Sequence, residues 1–151
     1  MTFEISQPLR REHEDLHSTV LRATKEPGTL GEAARRVERL FQSHFSKEES
    51  CTLPAVSVLA DVARGRITPE MQNIVALGER LQNELDNMLA EHRMIEAAIE
   101  DMMAIAGREN KDDYAELGIR FITHAQTEEL LTYPAVIVLA NYLKIRLGIH
   151  P

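Results

Sequence analysis

Apolar residues recur at three- and four-residue steps along most of the chain, as in Ile74, Leu77, Leu81, Leu85, Met88 and Leu89. That period gathers them on one face of an α-helix, and the two-residue alternation of a half-buried strand is nearly absent. Glycine, proline and small polar residues cut the pattern into four segments, about residues 7–25, 30–64, 68–107 and 110–147. The stops are Glu26-Pro27-Gly28, Gly65, Ala106-Gly107 and Gly148. Thr68-Pro69-Glu70 opens the third segment, where threonine can cap and proline suits a first helical turn. Four amphipathic helices with short connections predict an all-α, up-down-up-down four-helix bundle. A chain of 151 residues fits one such domain with an adequate core.

Two prolines interrupt the second and fourth segments. Proline removes a backbone donor and clashes with the preceding turn, so kinks or breaks are expected near Pro54 and Pro134. Each is followed by Ala-Val-x-Val-Leu-Ala, apolar nearly all round. These stretches are expected to plug one end of the bundle.

Composition narrows the class of protein. A hydrophobic content of 44% with 27% charged residues is that of a soluble globular chain. The net charge of -7 leaves no basic stripe to neutralise phosphates, which argues against nucleic acid as a partner. The lone Cys51 cannot form an internal disulfide and favours a reducing compartment. The opening MTFEISQPLRREHED is too polar and acidic for a secretory signal, and no run of about 18 apolar residues suggests a membrane span. A cytoplasmic location is expected.

Candidate chemistry comes from a duplication. Residues 41–62 and 121–142 are identical at 11 of 22 positions at an offset of 80, including His44/His124, Glu48/Glu128, Glu49/Glu129 and Pro54/Pro134. Upstream, Glu12-His13 and Glu91-His92 repeat at an offset of 79. Antiparallel helices lie level at positions equidistant from their connection. His13 and His44 each stand about 15 residues from the first connection, and His92 and His124 about 16 from the last. One histidine per helix therefore falls in a common layer. Each helix adds a partner four residues on, nearly on the same face: His17, Glu48, Glu96 and Glu128. Buried carboxylates need compensation, which divalent cations provide, and imidazole with carboxylate suits iron, manganese or zinc. So many ligands exceed the needs of one metal and match two. Glu49 and Glu129, about 140° from the histidines on a regular helix, are read as supporting or surface groups.

Together these motifs resemble the hemerythrin-like (HHE cation-binding) family over nearly the whole chain. The resemblance implies a bundle holding two non-haem iron ions, bridged by carboxylates and an oxo or hydroxo group. Carried across, His13, His17 and His44 would serve one iron and His92 and His124 the other, with Glu48 and Glu128 bridging. The pattern departs from oxygen carriers: Glu128 follows His124 by four residues rather than an aspartate by five, the paired histidines fall on the first helix, and Glu96 stands where a second histidine would. Reversible oxygen carriage is therefore not expected. The halves differ at His17 against Glu96, which would make the metals unequal and place reactivity on the Glu96 side. The function implied is interaction with oxygen, nitric oxide or peroxide, in sensing, detoxification or iron handling. Whether the chain is an enzyme stays open. The alternative is a non-catalytic helical interaction bundle with a structural metal or none.

Overall fold

A computed structural model describes residues 3–150, and every described element is helical. Helix α1 (Gln7–Ala23) buries His13, Leu16, Thr19, Val20 and Ala23, the three- and four-residue spacing of a single face. Helix α2 (Gly28–Ser50) returns antiparallel and buries Leu30, Ala34, Val37, Phe41, His44, Phe45 and Glu48. Two short helices follow, α3 (Thr52–Ser57) and α4 (Leu59–Ala63). A 3-10 turn, Pro69–Met71, leads into α5 (Gln72–Arg108), whose 37 residues make it the long strut of the molecule. Helix α6 (Leu117–Thr127) continues through a π turn, Glu128–Thr132, into α7 (Tyr133–Arg146). The predicted four-helix bundle is thus built from α1, α2, α5 and the composite fourth helix. No helix of the described residues is long and apolar enough to cross a membrane.

The helix ends follow the chemistry of their last residues. After α4 and α7, Gly65 and Gly148 take left-handed φ values of 78° and 67°. Backbone bonds from Arg66 N to Asp61 O and from Ile149 N to Lys144 O then close the free carbonyls. The predicted stop at Gly107 falls slightly early. Helix α5 runs to Arg108 and Asn110 adopts the left-handed conformation, with Lys111 N donating to Ala106 O. Asparagine tolerates that conformation better than most residues, so it serves where glycine is usual.

The break expected near the first proline is present, and near the second the helix departs from α geometry without breaking. The second segment breaks at Cys51 (φ −131°, ψ −49°), three residues before Pro54, which lies in the first turn of α3. The fourth segment does not break: the π turn absorbs the disturbance, and Pro134 occupies the first turn of α7. In the first turn of α3, which follows the break, the missing donor of Pro54 has no intrahelical partner to lose.

Two apolar clusters divide the interior. One holds Leu16, Val20, Leu30, Val37, Phe41, Ile95, Ile99, Met102 and Phe121; the other holds Ala55, Val58, Met71, Ile74, Leu81, Met88, Val136, Leu139 and Leu143. Along α5, His92 stands between Met88 of one cluster and Ile95 of the other. The Ala-Val-x-Val-Leu-Ala stretches do help close the second end, although Val138 stays 67% exposed.

Candidate metal centre

The layer between the clusters is polar and almost dry. His13, His44, Glu48, His92, His124 and Glu128 are all buried, none more than 5% exposed. Their atoms form two groups that could each hold a metal ion: His13, Glu48, His124 and Glu128, and His44, Glu48, His92 and Glu128. Within each group one ligand atom per residue lies within 4.8 Å of every other. Both carboxylates belong to both groups.

Each carboxylate divides its oxygens between the groups. Glu48 Oε2 lies 3.1 Å from His13 Nε2, and Glu48 Oε1 lies 3.4 Å from His44 Nε2. Glu128 Oε1 lies 2.9 Å from His124 Nε2, and Glu128 Oε2 lies 3.0 Å from His92 Nε2. Several of these approaches lack hydrogen-bond geometry: His44 Nε2, His124 Nε2 and Glu48 Oε2 are buried without a hydrogen-bond partner among the described residues. Unpaired buried polar atoms are costly. A cation among the closely spaced ligand atoms of a group would satisfy them, so the residues of each group fit a metal ion.

The imidazoles are held from behind by a second ring of carboxylates. His44 Nδ1 lies 2.8 Å from Glu91 Oε2, His92 Nδ1 2.8 Å from Glu129 Oε1, and His124 Nδ1 3.0 Å from Glu12 Oε1. His13 Nδ1 lies 3.6 Å from Glu49 Oε1, too long for a hydrogen bond. Nδ1–H donation to a carboxylate fixes the tautomer and aims Nε2 inward, as is usual for a metal-binding histidine. Glu129 thus meets a histidine of α5 rather than one on its own helix, whereas Glu49 approaches His13 of α1 without bonding it. In the sequence Glu12 and Glu91 stand out only as parts of repeated Glu-His pairs. Each reaches the histidine of the opposite half, so only their repetition was available as a signal.

Burial and charge act against each other here. Burial opposes charging His13, yet Glu128 and Glu48 outweigh it and hold its pKa up at about 9. His124 is likewise opposed by burial but raised to about 10 by Glu12 and Glu128. His44 is raised against burial by Glu48 and Glu91. Burial would lift Glu128, but His124, His13 and His92 hold it well below the ordinary carboxylate value. Without a cation, protons on the imidazoles supply the positive charge that the buried carboxylates require.

The structure regroups the imidazoles. The resemblance implied His13, His17 and His44 on one metal, but the ring pairs are His13 with His124, centroids 5.1 Å apart, and His44 with His92, 4.6 Å apart. The reason is closure of the bundle. Helix α1 packs on α6 as well as α2, and α2 packs extensively on α5, so each half contributes one histidine to each pair. His17 stands outside both groups, 32% exposed, with Nε2 3.4 Å from Glu38 Oε1. Glu96 is half-buried and also outside them. His17 lines a cleft of about 230 Å³ with His13, Gln42, Phe45 and Glu49; Glu96 lines one of about 180 Å³ with His92, Ile122, Ala125 and Glu129. These clefts are counterparts under the duplication, each reaching the outer side of a histidine.

Tyr133 joins the layer although no motif in the sequence marks it. It is fully buried, and its Oη donates to Glu48 Oε1 and lies 3.3 Å from His92 Nε2 and 3.5 Å from Glu128 Oε2. Its ring stacks on His92 at 15°. Burial first, then the charges of Glu48 and Glu128, push the phenol far up, so without a cation it remains a neutral donor. The duplication held a hint, since Tyr133 replaces the Leu53 of the first half.

No family model, curated protein or solved structure matches the chain.

Proposed function

We propose that this chain is a hemerythrin-like protein that binds two non-haem irons and interacts with oxygen, nitric oxide or peroxide, in sensing, detoxification or iron handling. The observation that carries the reading is the sharing of Glu48 and Glu128 between two imidazole pairs. A single structural ion has no use for two carboxylates that each divide their oxygens, whereas two metal ions could share them. Mixed imidazole and carboxylate donors suit iron, and such a pair supplies one- and two-electron chemistry toward small oxidants. His13 and His124 would hold one ion, His44 and His92 the other. Glu12, Glu91 and Glu129 orient the rings, and the two apolar clusters exclude bulk water from both sides.

The second reading is a helical interaction bundle in which the layer is purely structural. It draws on the proton balance of the site: imidazoles kept charged by Glu48, Glu128 and Glu12 neutralise the carboxylates with no metal. Metal analysis separates the two. Mass spectrometry of the purified chain is expected to find two irons, and Glu48→Gln is expected to lower that number. A chain that remains folded but takes up no iron from ferrous solution, or one holding a single zinc unaffected by Glu48→Gln, overturns the di-iron reading.

A further inference from the structure

The two halves of the metal layer differ in the interior at Phe45, which stacks on His13, against Ala125, and at Leu53 against Tyr133. On the side of His44 and His92, Tyr133 Oη lies within 3.5 Å of atoms from Glu48, His92 and Glu128, three of the four residues of that group. Donors sharing a metal at bond lengths of about 2.1 Å and right angles lie about 3.0 Å apart. The phenol oxygen therefore lies near the spacing of a further donor relative to three of the four residues of that group. On the other side of the layer the matching position is Leu53, which has no donor.

The π turn explains how the tyrosine arrives there. On a regular α-helix Tyr133, five residues beyond Glu128, would point about 140° away from it. Between Glu128 and Thr132 the chain widens to five-residue hydrogen-bonded turns, which bring residue 133 back toward the face of residue 128. The first half has no such turn. It breaks at Cys51, and Leu53 joins the short helix α3 instead.

We propose that Tyr133 is a ligand of the metal held by His44 and His92, so that this ion is the more fully coordinated of the two and the open position lies on the ion of His13 and His124. The inference rests on the di-metal reading. On coordination the phenol O–H is replaced by an oxygen–metal bond and the proton leaves to solvent, as other protic ligands lose theirs on metal binding. The inequality of the two ions then comes from Tyr133 against Leu53, not from His17 against Glu96. It also puts the reactive side beside the cleft lined by His13 and His17.

Ferric iron bound to a phenolate absorbs visible light by charge transfer, and excitation into that band enhances the ring vibrations of the bound tyrosine. The full-length chain, loaded with ferrous iron and oxidised in air, is expected to show this band and these vibrations. Tyr133→Phe is expected to lose both while still retaining iron. The chain has 3 tyrosines, so Tyr114→Phe and Tyr142→Phe together identify the same residue by elimination if Tyr133→Phe does not fold; both are expected to keep the band. Two irons per chain with no tyrosinate vibrations, or a band that survives in Tyr133→Phe, overturns the assignment and leaves the di-iron reading intact. Failure of the chain to bind iron removes both.

Discussion

A histidine binds metal well only if its ring is aimed, and here carboxylates stand behind three of the four imidazoles, within 3.0 Å of Nδ1. Glu91 is the most committed of them, since it also pairs with Lys47 Nζ, and together Lys47 and His44 hold its pKa below the ordinary value against burial. Removing such a supporting carboxylate typically weakens metal affinity about 10–100-fold. Glu91→Ala and Glu12→Ala are each expected to do so in a chelator competition. His17→Ala and Glu96→Ala, which touch the clefts but not the groups, are expected to leave affinity unchanged. Equal losses in all four variants would mean that the clefts, and not the inner layer, control binding.

At the scale of elements, the approach of α7 to α5 decides where Tyr133 sits. Gly78 on α5 makes that approach possible: a methyl group there would overlap Ala140 Cβ and lie 3.3 Å from Val136 O. Neither helix can yield easily, because Ile74, Leu81, Val136 and Leu143 around the contact are already buried. Overpacking of this kind costs about 1–3 kcal/mol. Gly78→Ala is expected to lower the denaturation midpoint accordingly, despite alanine's better helix propensity. A midpoint that rises would mean that propensity outweighs the close contact.

For the molecule as a whole, the charged layer makes stability depend on pH in a direction that reports the cation. In the metal-free chain His13 and His124 rise from an ordinary 6.5 to about 9 and about 10 on folding. A raised pKa contributes stability that is complete below 6.5 and lost as pH climbs through the folded values. Glu128, Glu12 and Glu91 are lowered, so their contribution is present above an ordinary 4.5 and lost as pH falls through their folded values. Chelator-treated protein is therefore expected to be most stable between these limits, with a Tm lower near pH 10 than near pH 6. Metal-loaded protein should resist the alkaline loss, because the cations replace the protons. Parallel alkaline declines in both forms would mean that the layer is not their cause.

Much of this was legible in the chain because it is local. Helix number and the inward face of each helix follow from the three- and four-residue spacing, and His44-x-x-x-Glu48 and His124-x-x-x-Glu128 are adjacent by helical geometry alone. The duplication likewise put the donors at one level. Partnership between helices is another matter. That His13 meets His124, that Glu91 supports His44 and Glu12 supports His124, depends on which helices close the bundle, and no spacing within one segment encodes it. Tyr133 was hidden for a different reason: read on a regular helix it faces away from Glu128, and only the π turn, settled by how α7 packs against α5, rotates it into the layer.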